Sequence, residues 1–322
     1  MEIITINEWV RKVEVSTSMR VESNGIDSNS TTTQKIMRFV MILILVLLFG
    51  ENSFSQQTKS LDTANVKYHR DIFYTEAKDS LQSLDVYWNS ESKNAKVLLF
   101  VHGGGWLSGD KRQYGEMATH LAAQGLTAVV VNYRLSPLVK FPAHTEDVAS
   151  AINWTNQFIR NYNGDRNKIY LMGHSAGGHL VSLIALDGRY LKKHKLKAKS
   201  IQGVLTISAA FEIKPQEGGA TKKYLGMVFG DDENVWNQAS CTSYVESKSI
   251  GKVIPRFLIS WGKHENSLIT KESLNMMKEF EDNGIKVQTH IFDTKDHYAF
   301  VNELKNERSP FFGKVTQFMD HL

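Results

Sequence analysis

Two kinds of apolar pattern alternate along the chain from about residue 67 onward. Lys96-Val97-Leu98-Leu99-Phe100-Val101 and Leu126 to Val131 are short, nearly continuous apolar runs. Such runs are expected of strands buried on both faces. Ile169 to Met172, Val204 to Ile207, Arg256 to Trp261 and Val287 to Phe292 are read the same way. Between them lie segments whose apolar residues return at helical spacing. Tyr114 to Gln124 is an amphipathic helix ended by Gly125, and Thr145 to Asn161 is a second, with Val148, Ala151, Ile152 and Phe158 on one face. His179 to Leu186, Ser267 to Asn283 and Phe311 to Leu322 are further helices. Lys67 to Tyr74 and Leu81 to Trp88, joined by a polar turn, predict an antiparallel hairpin. Strands that alternate with helices imply an α/β fold with a parallel sheet and helices on both faces. Phe211 to Gly251 has no clear period beyond a short helix near Thr221 to Phe229. It is read as a lid or substrate-facing insertion, with a plain surface excursion as the alternative.

The first part of the chain differs. Residues 1–36 are polar and rich in Ser, Thr and Asn, and are read as a disordered leader or a mis-assigned start. Met37-Arg38 then leads into the apolar run Phe39 to Phe49, and Ser53-Phe54-Ser55 follows as small-x-small. A positive n-region, an apolar stretch too short to span a bilayer comfortably and a cleavage site make residues 37–55 a signal peptide. The expectation is export to the periplasm or beyond, with no stable membrane span after cleavage. The alternative is a membrane anchor at residues 39–49. Residues 56–322 are then a single catalytic domain.

Composition narrows the classes. The chain of 322 residues is 42% hydrophobic and 22% charged, an ordinary globular balance. A net charge of +4 is mild, and Lys192, Lys193, Lys195, Lys197 and Lys199 have no aromatics among them. They read as a solvated connection, so no nucleic-acid partner is expected. Cys241 is the single cysteine, which excludes an intramolecular disulfide and a Cys-rich metal site.

The chemistry centres on Gly173-His174-Ser175-Ala176-Gly177, placed between a buried run and a helix. Gly-x-Ser-x-Gly alone turns up by chance in about one chain in ten of this length, so its context carries the weight. A sharp strand-to-helix turn holds the serine in a strained conformation and projects Oγ from the carboxyl edge of the sheet. Ser175 is the expected nucleophile. His102-Gly103-Gly104-Gly105-Trp106 follows another buried strand, and consecutive glycines can turn several N–H groups inward. Gly104, Gly105 and Ala176 are the expected oxyanion donors. No G-x-G-x-x-G or G-K-[ST] phosphate loop competes. Among eleven histidines, His297 lies just past the last strand and is the expected base. His102 and His174, inside the motifs, are expected to shape loops. Glu265, three residues past Gly262 in the loop beyond the preceding strand, is the expected orienting acid, with Asp293 and Asp296 as rivals.

Those motifs, with Ser108-Gly109-Asp110-Lys111, Asn132-Tyr133-Arg134-Leu135-Ser136-Pro137 and Phe141-Pro142-Ala143, resemble the α/β-hydrolase superfamily. Within it the chain is similar to carboxylesterases related to hormone-sensitive lipase, in the bacterial esterase and kynurenine-formamidase-like branch. The resemblance spans about residues 67–322. It implies the α/β-hydrolase fold, Ser175 as nucleophile, His297 as base and the glycine loop as oxyanion hole. Many relatives carry Asp at the position of Glu265, and Ala239-Ser240-Cys241-Thr242 stands where Ala-Ser-Pro-x is common, leaving that backbone less fixed. Few residues precede the first strand, so a small cap or none is expected. The expected activity is hydrolysis of carboxylic esters of small or aromatic acyl groups, on small-molecule or carbohydrate-linked substrates such as plant polysaccharide. No cofactor and no metal is required. The alternatives are an arylformamidase and, in another class, a non-catalytic binding module.

Overall fold

The computed structural model describes residues 62–215, 220–245, 254–293, 297, 299–306 and 308–320. The leader and signal-peptide readings, and the rival acid Asp296, lie outside the described residues. Among the described residues no helix is long and apolar enough to cross a membrane.

Eight strands form one sheet: β1 (Val66–Phe73), β2 (Ser83–Asn89), β3 (Ala95–Val101), β4 (Thr127–Val131), β5 (Gly164–His174), β6 (Ile201–Ile207), β7 (Arg256–Gly262) and β8 (Val287–Phe292). Their order is β1-β2-β4-β3-β5-β6-β7-β8. β1 with β2 and β2 with β4 pair antiparallel, and every later pairing is parallel. The helices are α1 (Gly115–Ala123), α2 (Ala143–Phe158), α3 (Ala176–Leu186), α4 (Arg189–Lys193), α5 (Ala220–Phe229), α6 (Glu233–Ala239), α7 (Ser267–Asp282), α8 (Ala299–Lys305) and α9 (Pro310–Asp320).

Two separate cores explain why the strand runs are continuously apolar. Val97, Leu99 and Val101 face one core together with Leu171, while Leu98 and Phe100 face the other with Tyr170 and Met172. Residues alternate faces along a strand, and both faces are covered. Helices α2, α3 and α7 cover the first face, through residues such as Ile152, Leu183 and Phe280. Helices α1, α8 and α9 cover the second, through Leu121, Phe300 and Phe318. β1 lies at the edge and is largely exposed.

The observed β5 is longer than the apolar run alone indicates, because its polar start pairs at Ala95↔Gly164 before the register shifts. The segment from Phe211 onward carries α5 and α6 and packs into the first core. Leu225, Val228, Phe229 and Trp236 are buried there. Phe141 N–H donates to the Val228 carbonyl at 2.8 Å, which ties α5 to the loop before α2. Cys241, at the departure from the usual proline, donates its N–H to the Phe211 carbonyl at 2.8 Å. Proline has no N–H, so this chain anchors that backbone by a bond proline cannot make. The parallel strands β3, β5, β7 and β8 share a direction, so the loops that follow them meet at one edge.

Candidate active site

At the end of β5 the chain turns directly into α3 through Ser175, whose φ is 51° and ψ −118°. A non-glycine residue in that region costs on the order of 1–3 kcal/mol and persists only where its surroundings impose it. Two hydrogen bonds do so. Ser175 N–H donates to the Ile207 carbonyl at 2.8 Å, and its own carbonyl accepts from His179 N–H at 3.0 Å. The flanking glycines are required by space. A Cβ on Gly173 would lie 2.4 Å from the Gly177 backbone, and one on Gly177 would lie 2.1 Å from the Val101 carbonyl oxygen.

The serine meets the two residues expected to act with it. Ser175 Oγ–H donates to His297 Nε2 at 2.9 Å, and His297 Nδ1–H donates to Glu265 Oε1 at 3.0 Å. The Glu265 side chain is fully covered. Ser208, at the end of β6 with φ 48°, donates its hydroxyl to Glu265 Oε2 at 2.6 Å. Burial pushes the Glu265 carboxyl up, but hydrogen bonds from His297 and Ser208 outweigh it and hold the group below its ordinary value. Both oxygens of the carboxylate are therefore engaged. The rival Asp293 is exposed.

His174 ties the base to the turn. Its Nε2–H donates to the His297 carbonyl at 3.2 Å. Burial, and then the neighbouring His297, push its pKa down to about 4, so the ring stays neutral at physiological pH.

The glycine loop lies against the turn, since a Cβ on Gly103 would sit 3.1 Å from Ser175 Cβ. Its orientation follows from peptide planarity, because in a trans peptide the carbonyl and the next N–H point in opposite directions. The Gly103 carbonyl accepts from His102 Nδ1–H at 2.7 Å. The Gly104 carbonyl accepts from Leu107 N–H at 3.1 Å and from Ser108 N–H at 3.0 Å. The N–H groups of Gly104 and Gly105 are thus turned to the opposite side. The same reasoning at Ser175, whose carbonyl His179 holds, turns Ala176 N–H out of α3. None of these three N–H groups has an acceptor among the described residues. Positive φ values of 114° at Gly104 and 61° at Gly105 make the loop possible. Tyr224 of α5 fixes its far side, donating O–H to the Gly105 carbonyl at 2.9 Å.

Ion pairs with a buried member fix the segments that follow the glycine loop and β4. Lys111, 2% exposed, pairs with the buried Asp85 of β2 and with Asp71, at 2.6 Å from the latter, and its N–H donates to Asn132 Oδ1 at 2.6 Å. Arg134 meets Asp147 through two bonds, at 2.8 and 2.7 Å. Ser208, Tyr224 and the Lys111–Asp85 pair are contributions that sequence reading missed. Lys111 alone carried a signal, as a charged residue inside the motif that follows the glycines.

A hydroxyl bonded to an imidazole, itself oriented by a carboxylate and set beside unsatisfied N–H donors, can add an oxygen nucleophile to a carbonyl. Among the described residues no cluster of His, Cys, Asp and Glu could hold a metal ion.

The BD-FAE family profile matches residues 84–280. Esterase LipC of Mycobacterium tuberculosis is 38% identical over 122 residues, 37% of this chain and 30% of that protein. Kynurenine formamidase of Danio rerio is 24% identical over 238 residues, 74% of this chain and 77% of that protein. A crystal structure of inhibited esterase B from Lactobacillus rhamnosis superposes with a TM-score of 0.68 at 20% identity, covering 87% of this chain and 96% of that one. The match to LipC, like that to LipM of the same organism, spans less than a third of the relative's length.

Proposed function

The chain belongs to the BD-FAE family and has the α/β-hydrolase fold, and from that premise we propose that it is a carboxylic ester hydrolase working through an acyl-enzyme. The observation that carries this reading is the unbroken hydrogen-bonded line from Ser175 through His297 to Glu265, beside three N–H groups with no acceptor among the described residues.

Mechanism follows from that geometry. Ser175 Oγ attacks the ester carbonyl carbon as His297 Nε2 takes its proton. The carbonyl oxygen gains the electron pair and is held by the N–H groups of Gly104, Gly105 and Ala176. Collapse breaks the bond to the alcohol oxygen, which leaves with the proton from His297. Water then attacks the acyl-enzyme, giving its proton to His297, and the acid departs as Oγ recovers a proton. Glu265 holds the imidazole tautomer and stabilises the imidazolium formed in each half.

Small or aromatic acyl groups on a carbohydrate are the substrates we favour, and the signal-peptide reading of residues 37–55 supports a substrate outside the cytoplasm. A second reading, hydrolysis of an N-formyl amide, is favoured by the likeness to kynurenine formamidase, which extends over most of that protein. The purified full chain should hydrolyse p-nitrophenyl acetate, methyl ferulate or acetylated xylan, and Ser175→Ala should lower turnover by about a million-fold. Activity on N-formylkynurenine alone would select the second reading. Near-normal activity in the variant would overturn both.

A further inference from the structure

A cleft of about 770 Å³ opens on the glycine loop. Its lining joins Gly103 to Gly105 and His174 to Leu107, Ser108, Gln113, Tyr114 and Tyr224, and to Asn302 and Lys305 of α8. Helix α8 starts two residues after His297, and His174 in the lining is bonded to the His297 carbonyl. The cleft therefore borders the turn that carries Ser175 and the helix that follows His297, with neither residue among its lining. The departing alcohol oxygen must face the imidazole that protonates it, which makes this neighbouring cleft the candidate to receive the alcohol half of an ester.

The chemistry of the walls is selective. Leu107 and the rings of Tyr114 and Tyr224 give the lining its apolar part, whereas Ser108, Gln113 and Asn302 offer hydroxyl and amide groups. Hydrogen-bonding groups set beside aromatic rings suit a hydroxylated ring, whose rim is polar and whose faces are apolar. Lys305 is the single ionised side chain among them and pairs with no described carboxylate. A lone cation in a cleft raises the local concentration of anions and favours a negative group placed opposite it. We infer that the alcohol half is a sugar ring bearing a carboxylate, with Lys305 as the residue that selects it. This rests on the ester-hydrolase reading of the same site.

The test compares two acetates that differ only at C6, mono-O-acetyl methyl glucuronoside with a carboxylate there and mono-O-acetyl methyl glucoside with a hydroxymethyl group. Acetate release gives kcat/KM for each, with the full-length wild type, Lys305→Gln and Lys305→Glu, at low and high salt. The wild type should prefer the uronate by about three- to fivefold at low salt, the range of an exposed ion pair. Lys305→Gln should bring that ratio to about one, Lys305→Glu should invert it, and salt should shrink it. A wild-type ratio of one, or a ratio that neither substitution moves, overturns the inference. Turnover of p-nitrophenyl acetate by the wild type in that case leaves the ester-hydrolase reading standing. Silence on all three esters overturns both.

Discussion

Ser208 offers the sharpest test of how the site is held. Its hydroxyl is fully buried and is bonded to Glu265 Oε2 at 2.6 Å, on the opposite side of the carboxylate from His297. Ser208→Ala removes one atom and creates no clash, but leaves a covered carboxylate short of a donor. A hydrogen bond to a charged group is worth about 1.5–3 kcal/mol net. If that is felt mostly when His297 becomes an imidazolium, kcat falls by roughly 10- to 100-fold, since about 1.4 kcal/mol is a factor of ten. KM should stay within about twofold, because the lost contact touches no substrate. Ser208→Gly is the control, since the native φ of 48° strains alanine and serine alike but not glycine. Both variants should slow equally while the glycine variant melts higher than the alanine one. Steady-state hydrolysis of p-nitrophenyl acetate, with circular dichroism to verify folding, reads all three proteins. A folded Ser208→Ala with kcat within twofold of wild type would refute the reasoning. So would a glycine variant that kept wild-type rate.

Other expectations follow from the same geometry. Gly105→Ala puts a Cβ 2.5 Å from the Tyr224 hydroxyl at a φ of 61°, and should lower kcat by about 100-fold by displacing one N–H donor. Adding Tyr224→Phe should recover part of that loss, and a double variant as slow as the single would place the fault in the backbone angle. Lys111→Met leaves Asp85 charged and buried without its partner, costing about 3–5 kcal/mol, so Tm should drop by roughly ten degrees in a calorimetric scan. Burial holds His102, His144, His174 and His179 each at about 4, below the ordinary histidine value. The unfolded chain binds protons at these residues from about pH 6.5 downward while the folded one does not, so stability is complete above that pH. It is lost as pH falls toward 4, at up to about 1.4 kcal/mol per unit for each histidine. Tm measured across that window should fall steeply, and a flat profile would show that these rings are already protonated when folded.

How much of this was legible depended on whether a residue's partner lies close in sequence. The runs at Lys96–Val101 and Leu126–Val131 announced themselves because both sheet faces are buried, so almost every residue had to be apolar. Ser175 and the glycine loop were visible because close backbone contacts, such as that between Gly177 and Val101, allow no other residue. His297 and Glu265 could be placed from topology, since each follows a parallel strand. Ser208 gave no such sign, as its partner is 57 positions away and a serine at a strand end is commonplace. Tyr224 lies 119 positions from the carbonyl it holds, in the one short helix of a stretch that otherwise has no clear hydrophobic period. That stretch lacked a period because its helices bury irregular aromatic contacts, such as Trp106 with Phe229, rather than a regular stripe.

The order in which the site's parts occur along the chain has a consequence for when the molecule becomes reactive. Ser175 precedes His297 by 122 positions, and the two strands that lead to Glu265 and His297, β7 and β8, come after the central strands of the sheet. A growing polypeptide can pair β3 with β5 and shape the serine turn well before β8 exists. Such an intermediate displays an ordinary alcohol, no more nucleophilic than any surface serine. On the proposed mechanism, hydrolytic power arrives only as β8 docks along β7, bringing the imidazole loop to the serine. Because β8 is the outermost strand on its side, its detachment would also be an early step of unfolding. Activity should therefore vanish before the sheet's centre opens, making turnover a more sensitive gauge of damage than any spectroscopic signal from the core.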